Sequence, residues 1–407
     1  MNKRTILLSS YKNDPFGISE SYIAFVWLNI LLKKFNVILL TTTEAEKSLT
    51  EYYGNNLNGS LKIISFKDEY PFKNKSAVRN GLKLGYFYFN NKIKKYLKKH
   101  PEIIKSSDIL FHKTPVSFRY FTSLVRFNKP VYLGPISGGI KPPAVLKNYF
   151  KKESLIHKLR NLDTLILKLP PYKKQFAKLE KVLVCFDYVE DILPKEYLKR
   201  KKNLLDIGID CSQFNQAVNN DIPKILYVGR LTRYKGAELL IRSIEKIKDL
   251  NLVLDIVGDG EERGFLENIV KEFNLQNKIH FHGFKNAKEV KQFYSNASIF
   301  CFPSLTESIG IVFYEAMASG LPIITINNGG PKYICPDEGA IKIPLASETD
   351  IIKSLAESIQ LLVENPGKSE EMGKFNRKYC FENYDWKTLE KNILDFFTEE
   401  IERHSQK

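Results

Sequence analysis

Short apolar runs separated by longer stretches with helical spacing recur along the chain, and this alternation predicts a parallel α/β architecture. Thr5–Ser9 reads as a strand, Tyr11–Gly17 as a turn-rich loop, Ser19 to about Lys34 as a helix, and Asn36–Thr42 as the next strand. Further strands are expected at Asp108–His112, Lys129–Gly134 and Lys181–Cys185. The second half is more regular. Strands at Lys224–Gly229, Leu252–Val257, Ile279–Phe281, Ser298–Phe302 and Leu321–Thr325 alternate with helices at Ala237–Asp249, up to about Phe273, Ala287–Ser295 and Ile311–Ser319. The strand at Leu321 closes the series. Connections this short between βα units are those of a doubly wound domain. A domain boundary is expected between Arg200 and Pro223, with Asn219–Pro223 as a linker, and Trp386 to about Glu402 reads as a terminal amphipathic helix.

The length of 407 residues exceeds one ordinary core and suggests two domains. Hydrophobic residues at 43% and aromatics at 12% exclude global disorder. Five scattered cysteines (Cys185, Cys211, Cys301, Cys335, Cys380) form no CxxC pair, which fits unpaired thiols in a reducing cytoplasm rather than a zinc site or disulfide framework. The apolar run behind the basic start is too short for a signal peptide. The longest apolar stretch, Tyr22–Leu32, is interrupted by Asn29 and falls short of the ~20 residues of a membrane span. The net charge of +16 changes the picture by its distribution. One cluster is Lys92, Lys94, Lys95, Lys98 and Lys99; the other runs through Lys141, Lys147, Lys151, Lys152, Lys158, Arg160, Lys168, Lys173, Lys174, Lys178 and Lys181. Both lie in the first half. With Tyr86–Lys92 they suit an anionic membrane surface; a merely solvated face is the alternative. No zinc, RNP or helix-turn-helix signature accompanies them, so nucleic acid is not an expected partner.

Ligands of open α/β sheets bind at the carboxyl ends of the strands. Pro303–Pro322 lies at such a junction, with Gly310 opening a helix, so amides near Gly310, Ile311 and Val312 are free for phosphate or sugar oxygens. Glu307 on the loop and Glu315 on the helix stand eight positions apart and suit different parts of one extended, hydroxyl-rich ligand. A second loop, Gly229-Arg230-Leu-Thr-Arg-Tyr-Lys235-Gly236, brings two cations to the same mouth and could neutralise a diphosphate without metal. A solvated basic turn is its other reading. His280 and His282 alternate along a strand; with no third ligand in sight, ordinary strand positions account for them.

Taken together, these pieces resemble glycosyltransferase family 4, of the retaining, two-domain GT-B fold. The resemblance rests on Tyr227–Leu231 with Lys235-Gly236, Val257–Glu261, His282–Phe284, Pro303–Gly310, Glu315–Pro322 and Gly329–Pro331, with the Glu307/Glu315 pair as hallmark. It is strong over about 224–344 and weaker before. It implies an α/β GT-B chain of two Rossmann-like doubly wound domains facing a central cleft. Residues 1–203 would bind acceptor, 204–380 the sugar nucleotide, and 381–407 would form a helix crossing back to the first domain. It further implies that Glu307 lies beside the transferred sugar. Ser308, Ile309, Gly310, Ile311 and Val312 would contact sugar and phosphate through the backbone, and Glu315 would bind the ribose. Arg230 and Lys235, with Gly229, would hold the diphosphate. Gly17 in the loop after the first strand would approach the donor phosphate, and His112 the transferred sugar; a structural histidine is the other reading of His112. Gly134–Gly139 is similar to a glycine-rich loop of some members, and a tight turn explains it equally.

Ile309 stands where Phe is common, and Tyr333 where an acidic residue often follows Gly-Gly-Pro. By this resemblance no cofactor or metal is expected beyond the nucleotide-sugar co-substrate, UDP or GDP. The acceptor would be a glycan or lipid-linked glycan of bacterial surface polysaccharide, and the location cytoplasmic, peripheral on the inner membrane face. The rivals are a sugar-nucleotide epimerase of the same fold and a non-catalytic polyanion-binding scaffold.

Overall fold

A computed structural model describes residues 3–54, 59–68, 83, 85–150, 166–167, 169–218 and 220–406. The basic residues Lys151, Lys152, Lys158, Arg160 and Lys168 lie outside the described residues. The chain forms two compact units, one of residues 1–139, 162–206 and 390–407, the other of 140–161 and 207–389.

The first unit carries a seven-stranded parallel sheet of order β3-β2-β1-β4-β5-β6-β7. Its strands and main helices are β1 (Thr5–Ser10), α1 (Glu20–Lys34), β2 (Asn36–Thr42), α2 (Thr43–Tyr53), β3 (Leu61–Phe66) and α3 (Gly85–Lys99). After them come β4 (Ile109–Thr114), β5 (Val131–Ile136), α4 (Pro170–Lys178), β6 (Lys181–Val184) and β7 (Lys201–Asn203). The central strands β4 and β5 are buried at every position, as a sheet covered on both faces requires. Under α1 the ammonium of Lys113 is fully enclosed, 2.5 Å from Asp206 Oδ1 and 5.0 Å from the centre of the Trp27 ring, while Trp27 Nε1 donates to the Asp206 carbonyl at 2.8 Å.

The second unit repeats the design with six parallel strands in the order β10-β9-β8-β11-β12-β13. These are β8 (Lys224–Val228), α5 (Ala237–Lys246), β9 (Val253–Val257), α6 (Arg263–Glu272), β10 (Ile279–Gly283) and α7 (Ala287–Ser295). They continue as β11 (Ile299–Phe302), α8 (Ile311–Ala318), β12 (Ile323–Ile326), β13 (Ala340–Ile343), α9 (Glu348–Glu364) and α10 (Pro366–Asn383); the last helix, α11 (Trp386–Ser405), belongs from Glu390 onward to the first unit. Strand order reverses at β1/β4 in one sheet and at β8/β11 in the other. At each reversal the loops leave in opposite directions and open a crevice at the strands' carboxyl ends.

Two strand limits are corrected here. The strand at Leu321 does not close the second sheet, because β13 adds a further edge. β4 runs on to Thr114, two residues past the end expected at His112, so His112 lies inside the strand beside Ser9 of β1 and Leu133 of β5. The units divide between Asp206 and Ile207, within the Arg200–Pro223 range expected for the boundary. Of the stretch read as a linker, Asn219 lies outside the described residues, and Asn220 Nδ2 donates to the carbonyls of Val218 and Asn296 at 3.2 and 3.0 Å.

Candidate functional site

In the second unit the loops after β8, β9, β11 and β12 lock together at the β8/β11 reversal. Gly229 N donates to Val257 O and Leu231 N to Asp259 O, each at 2.9 Å. Leu305 N donates to Tyr234 O and Gly330 N to Glu307 O, each at 2.8 Å. Gly236 has φ 76° and backs onto the Pro303 carbonyl, which any Cβ there would strike. A left-handed turn at contact distance is a place only glycine fits. Gly329, at φ 57°, likewise faces the Glu307 carbonyl, which an added Cβ would approach to 2.5 Å.

This bracing places Lys235 and Glu307 in a direct ion pair, their side chains 18% and 11% exposed. The Lys235 ammonium also lies 5.3 Å from the centre of the Phe302 ring. The two residues expected to serve diphosphate and sugar therefore neutralise each other. Arg230, by contrast, is 69% exposed, and its one side-chain partner among the described residues is Glu261, itself exposed, at 3.4 Å. Such a pair contributes little, so the guanidinium is free to swing toward an anion.

α8 begins directly behind Glu307. Gly310 is its N-cap and offers no capping side chain, leaving the first helical amides, Ile311 and Val312, without an intrahelical partner. Ser308, Ile309 and Val312 are half-buried at this mouth and Ile311 is exposed. The helix is apolar around its circumference, which is why it is buried. Its one charged side chain, Glu315, receives a hydrogen bond from the Tyr294 hydroxyl of α7 at 2.9 Å. Burial raises the Glu315 carboxyl above the usual carboxylate range, against the opposing effects of Tyr294 and Lys291. Tyr294 was not legible beforehand, because only the fold carries α7 beside α8. Phe284, in the His282–Phe284 motif, lies at the carboxyl end of β10 and is 82% exposed. Asp255 of β9, which the sequence reading did not single out, sits 2.7 Å from Nε2 of His282 and 3.7 Å from Nδ1 of His280 on the edge strand β10.

The first unit holds the remaining candidates separately. Gly17 ends a tight turn after β1, its amide donating to Asp14 O at 3.2 Å. The His112 ring is fully buried against Tyr86, with neither nitrogen hydrogen-bonded among the described residues. Burial lowers its pKa to about 3, so the ring is neutral at physiological pH. Among the described residues one group of side chains has metal-like spacing, Glu180, Glu400 and His404. Arg403 already bonds both of its carboxylates, at 2.5 and 2.6 Å, and supplies the positive charge there. No described helix is long and apolar enough to cross a membrane.

Comparison with known proteins bears on the second unit above all. The family described as Glycosyl transferases group 1 matches residues 210–379. A glycosyltransferase of Methanocaldococcus jannaschii, itself uncharacterized, is 33% identical over 183 residues, which are 44% of this chain and 46% of that protein. The chain thus matches about half the length of its curated relatives. Over the whole chain, a glycosyltransferase structure from Rickettsia africae aligns with TM-score 0.63 at 17% identity, covering 98% and 99% of the two chains. An Anabaena protein crystallised with UDP aligns with TM-score 0.64 at 13% identity, covering 97% and 100%. The second unit accordingly carries a Glycosyl transferases group 1 segment over residues 210–379, and the two sheets together have the GT-B fold.

Proposed function

We propose that the chain is a retaining glycosyltransferase that moves a hexosyl unit from a nucleotide-sugar donor to a glycan or lipid-linked glycan, without metal, within family 4. The observation that carries this reading is the paired Lys235 and Glu307 beside an uncapped helix start, with Glu315 one helical turn beyond. A donor diphosphate would draw Lys235 from Glu307 and meet Arg230 and the amides of Ile311 and Val312. Glu307, released, would accept hydroxyls of the transferred sugar, and Glu315 those of the ribose. The exposed Phe284 ring would offer its face to the base. The mechanism is a front-face displacement in which the donor C1–O bond breaks while these cations and amides stabilise the leaving diphosphate, whose oxygen takes the acceptor proton. Relatives whose names place them in colanic acid biosynthesis and lipopolysaccharide biosynthesis support an assignment to surface polysaccharide.

The test is thermal stabilisation by UDP, GDP, ADP and their sugar conjugates, beside Glu315→Ala. One nucleotide giving a saturable shift that the variant loses supports the reading and names the base. No shift with any of them sinks it.

The acceptor we favour is lipid-linked, reached from the cytoplasmic membrane face. Lys95, Lys98, Lys99 and Tyr88 on α3 and Lys173, Lys174 and Lys178 on α4 are all exposed, and exposed cations attract anionic lipid. Flotation with phosphatidylglycerol vesicles at low salt checks it; a protein left at the bottom of the gradient ends the idea.

A further inference from the structure

Between the two cations of the Gly229–Gly236 loop stands a third, Arg233, whose charge is already spent. Its side chain is 18% exposed and pairs with Glu262 at 3.0 Å and Glu238 at 3.4 Å. Its guanidinium carbon lies 4.6 Å from the centre of the Tyr149 ring. The two residues also exchange hydrogen bonds with each other's backbone: Arg233 Nε donates to the Tyr149 carbonyl at 2.8 Å, and the Tyr149 hydroxyl donates to the Arg233 carbonyl at 3.2 Å.

Tyr149 belongs to residues 140–150, which precede β6 and β7 in the chain yet pack in the second unit. At the start of the same segment, Ile140 fills the space beside Gly329, where an added Cβ would stand 2.5 Å from Ile140 Cδ1 and equally close to the Glu307 carbonyl. The segment therefore touches the loop that carries Arg230 and Lys235 at one end and the loop that braces Glu307 at the other. A planar guanidinium held by two carboxylates and a stacked ring has few alternative positions. With the Arg233 carbonyl held as well, the turn Arg233–Lys235 loses freedom just before Lys235.

We propose that Tyr149 and Arg233 are positioning residues that hold the Gly229–Gly236 loop in its phosphate-binding form. This rests on the donor reading above and adds to it that a piece of the first half of the sequence works in donor binding.

The test uses the full-length chain with Tyr149→Ala, Tyr149→Phe and Arg233→Ala. Calorimetric titration with a nucleoside, its monophosphate and its diphosphate separates the two ends of the ligand. Hydrogen exchange of amides 229–236 without nucleotide reads the loop directly. Both alanine variants are expected to keep nucleoside affinity within about twofold, to lose about tenfold in diphosphate affinity, and to exchange faster at 229–236. Tyr149→Phe, which keeps the stack, is expected to lose about threefold or less. Diphosphate affinity unchanged in both alanine variants overturns the proposal. So does an equal loss of nucleoside and diphosphate affinity with faster exchange throughout the unit, which marks general loosening. If the unaltered protein binds no nucleoside diphosphate, the donor reading fails, and the exchange comparison alone decides the clamp: unchanged protection at 229–236 refutes it.

Discussion

Replacing Lys235 with alanine should destabilise the second unit measurably, because it strands Glu307. The carboxylate has an 11% exposed side chain and no other ion-pair partner among the described residues, so water replaces the lost ammonium poorly. Removing one member of a fully buried pair costs about 3–5 kcal/mol. The mouth of this site is partly wet, and about 2 kcal/mol is the more fitting figure. For a unit of this size each kcal/mol shifts the unfolding midpoint by about 2–4 °C, so the expected fall is roughly 4–8 °C. Lys235→Ala combined with Glu307→Gln removes both charges and should recover most of that loss. Glu307→Gln alone leaves a cation with its hydrogen-bonding partner reduced, and should lower the midpoint less while leaving Lys235 free for phosphate. Nucleoside diphosphate affinity in that variant should be equal to or above that of the unaltered protein. Scanning calorimetry without nucleotide reads the stabilities, and titration reads the affinities. A Lys235→Ala midpoint within about 1 °C of the original, or a double variant no better than the sum of the singles, refutes the reasoning.

Glu315→Gln should raise the unfolding midpoint at pH 7 by a few degrees while abolishing nucleoside binding, because burial penalises the charged carboxylate and the folded-state pKa is raised. By the same sign, the protein carrying Glu315 should gain on the variant in stability as pH falls and the unfolded chain no longer profits from ionising; denaturant midpoints at pH 7 and 4.5 check both. His112, with its pKa depressed to about 3, works the other way: its share of stability is full above the unfolded value near 6.5 and is lost as pH falls. Between pH 7.5 and 5 the original should lose about 2 kcal/mol more than His112→Phe in urea unfolding; equal losses would show that the ring takes up a proton in place. Gly236→Ala forces a methyl group toward the Pro303 carbonyl at φ 76°, and should cost about 2 kcal/mol or more together with most of the diphosphate affinity; titration and urea unfolding report each.

The second sheet was readable because each strand is a short apolar run and each connection is brief. Its last strand was not: β13 is four residues, Ala-Ile-Lys-Ile, with its middle two half-exposed, and only neighbouring β12 makes it a strand. β7, Lys-Lys-Asn, is harder still, since its pairing is made by main chain alone and its side chains carry no strand preference. In the site, Glu307, Gly310 and Glu315 could be found because their spacing survives in one dimension. Tyr294 could not, being joined to Glu315 only by the packing of α7 on α8. The membership of residues 140–150 in the second unit was equally hidden, because chain order placed them among strands of the first.

The enclosed Lys113 and Asp206 bear on how this sequence can change over time. The two positions lie 93 residues apart, and neither tolerates loss of its partner, since a lone charge in that interior is far costlier than the pair. Asp206 also fixes its backbone through Trp27, so no shift of the chain can carry the carboxylate out to water. Drift at these sites must therefore pass through simultaneous replacement by an uncharged pair of similar volume. Among descendants of this chain, Lys113 and Asp206 should be kept together or exchanged together.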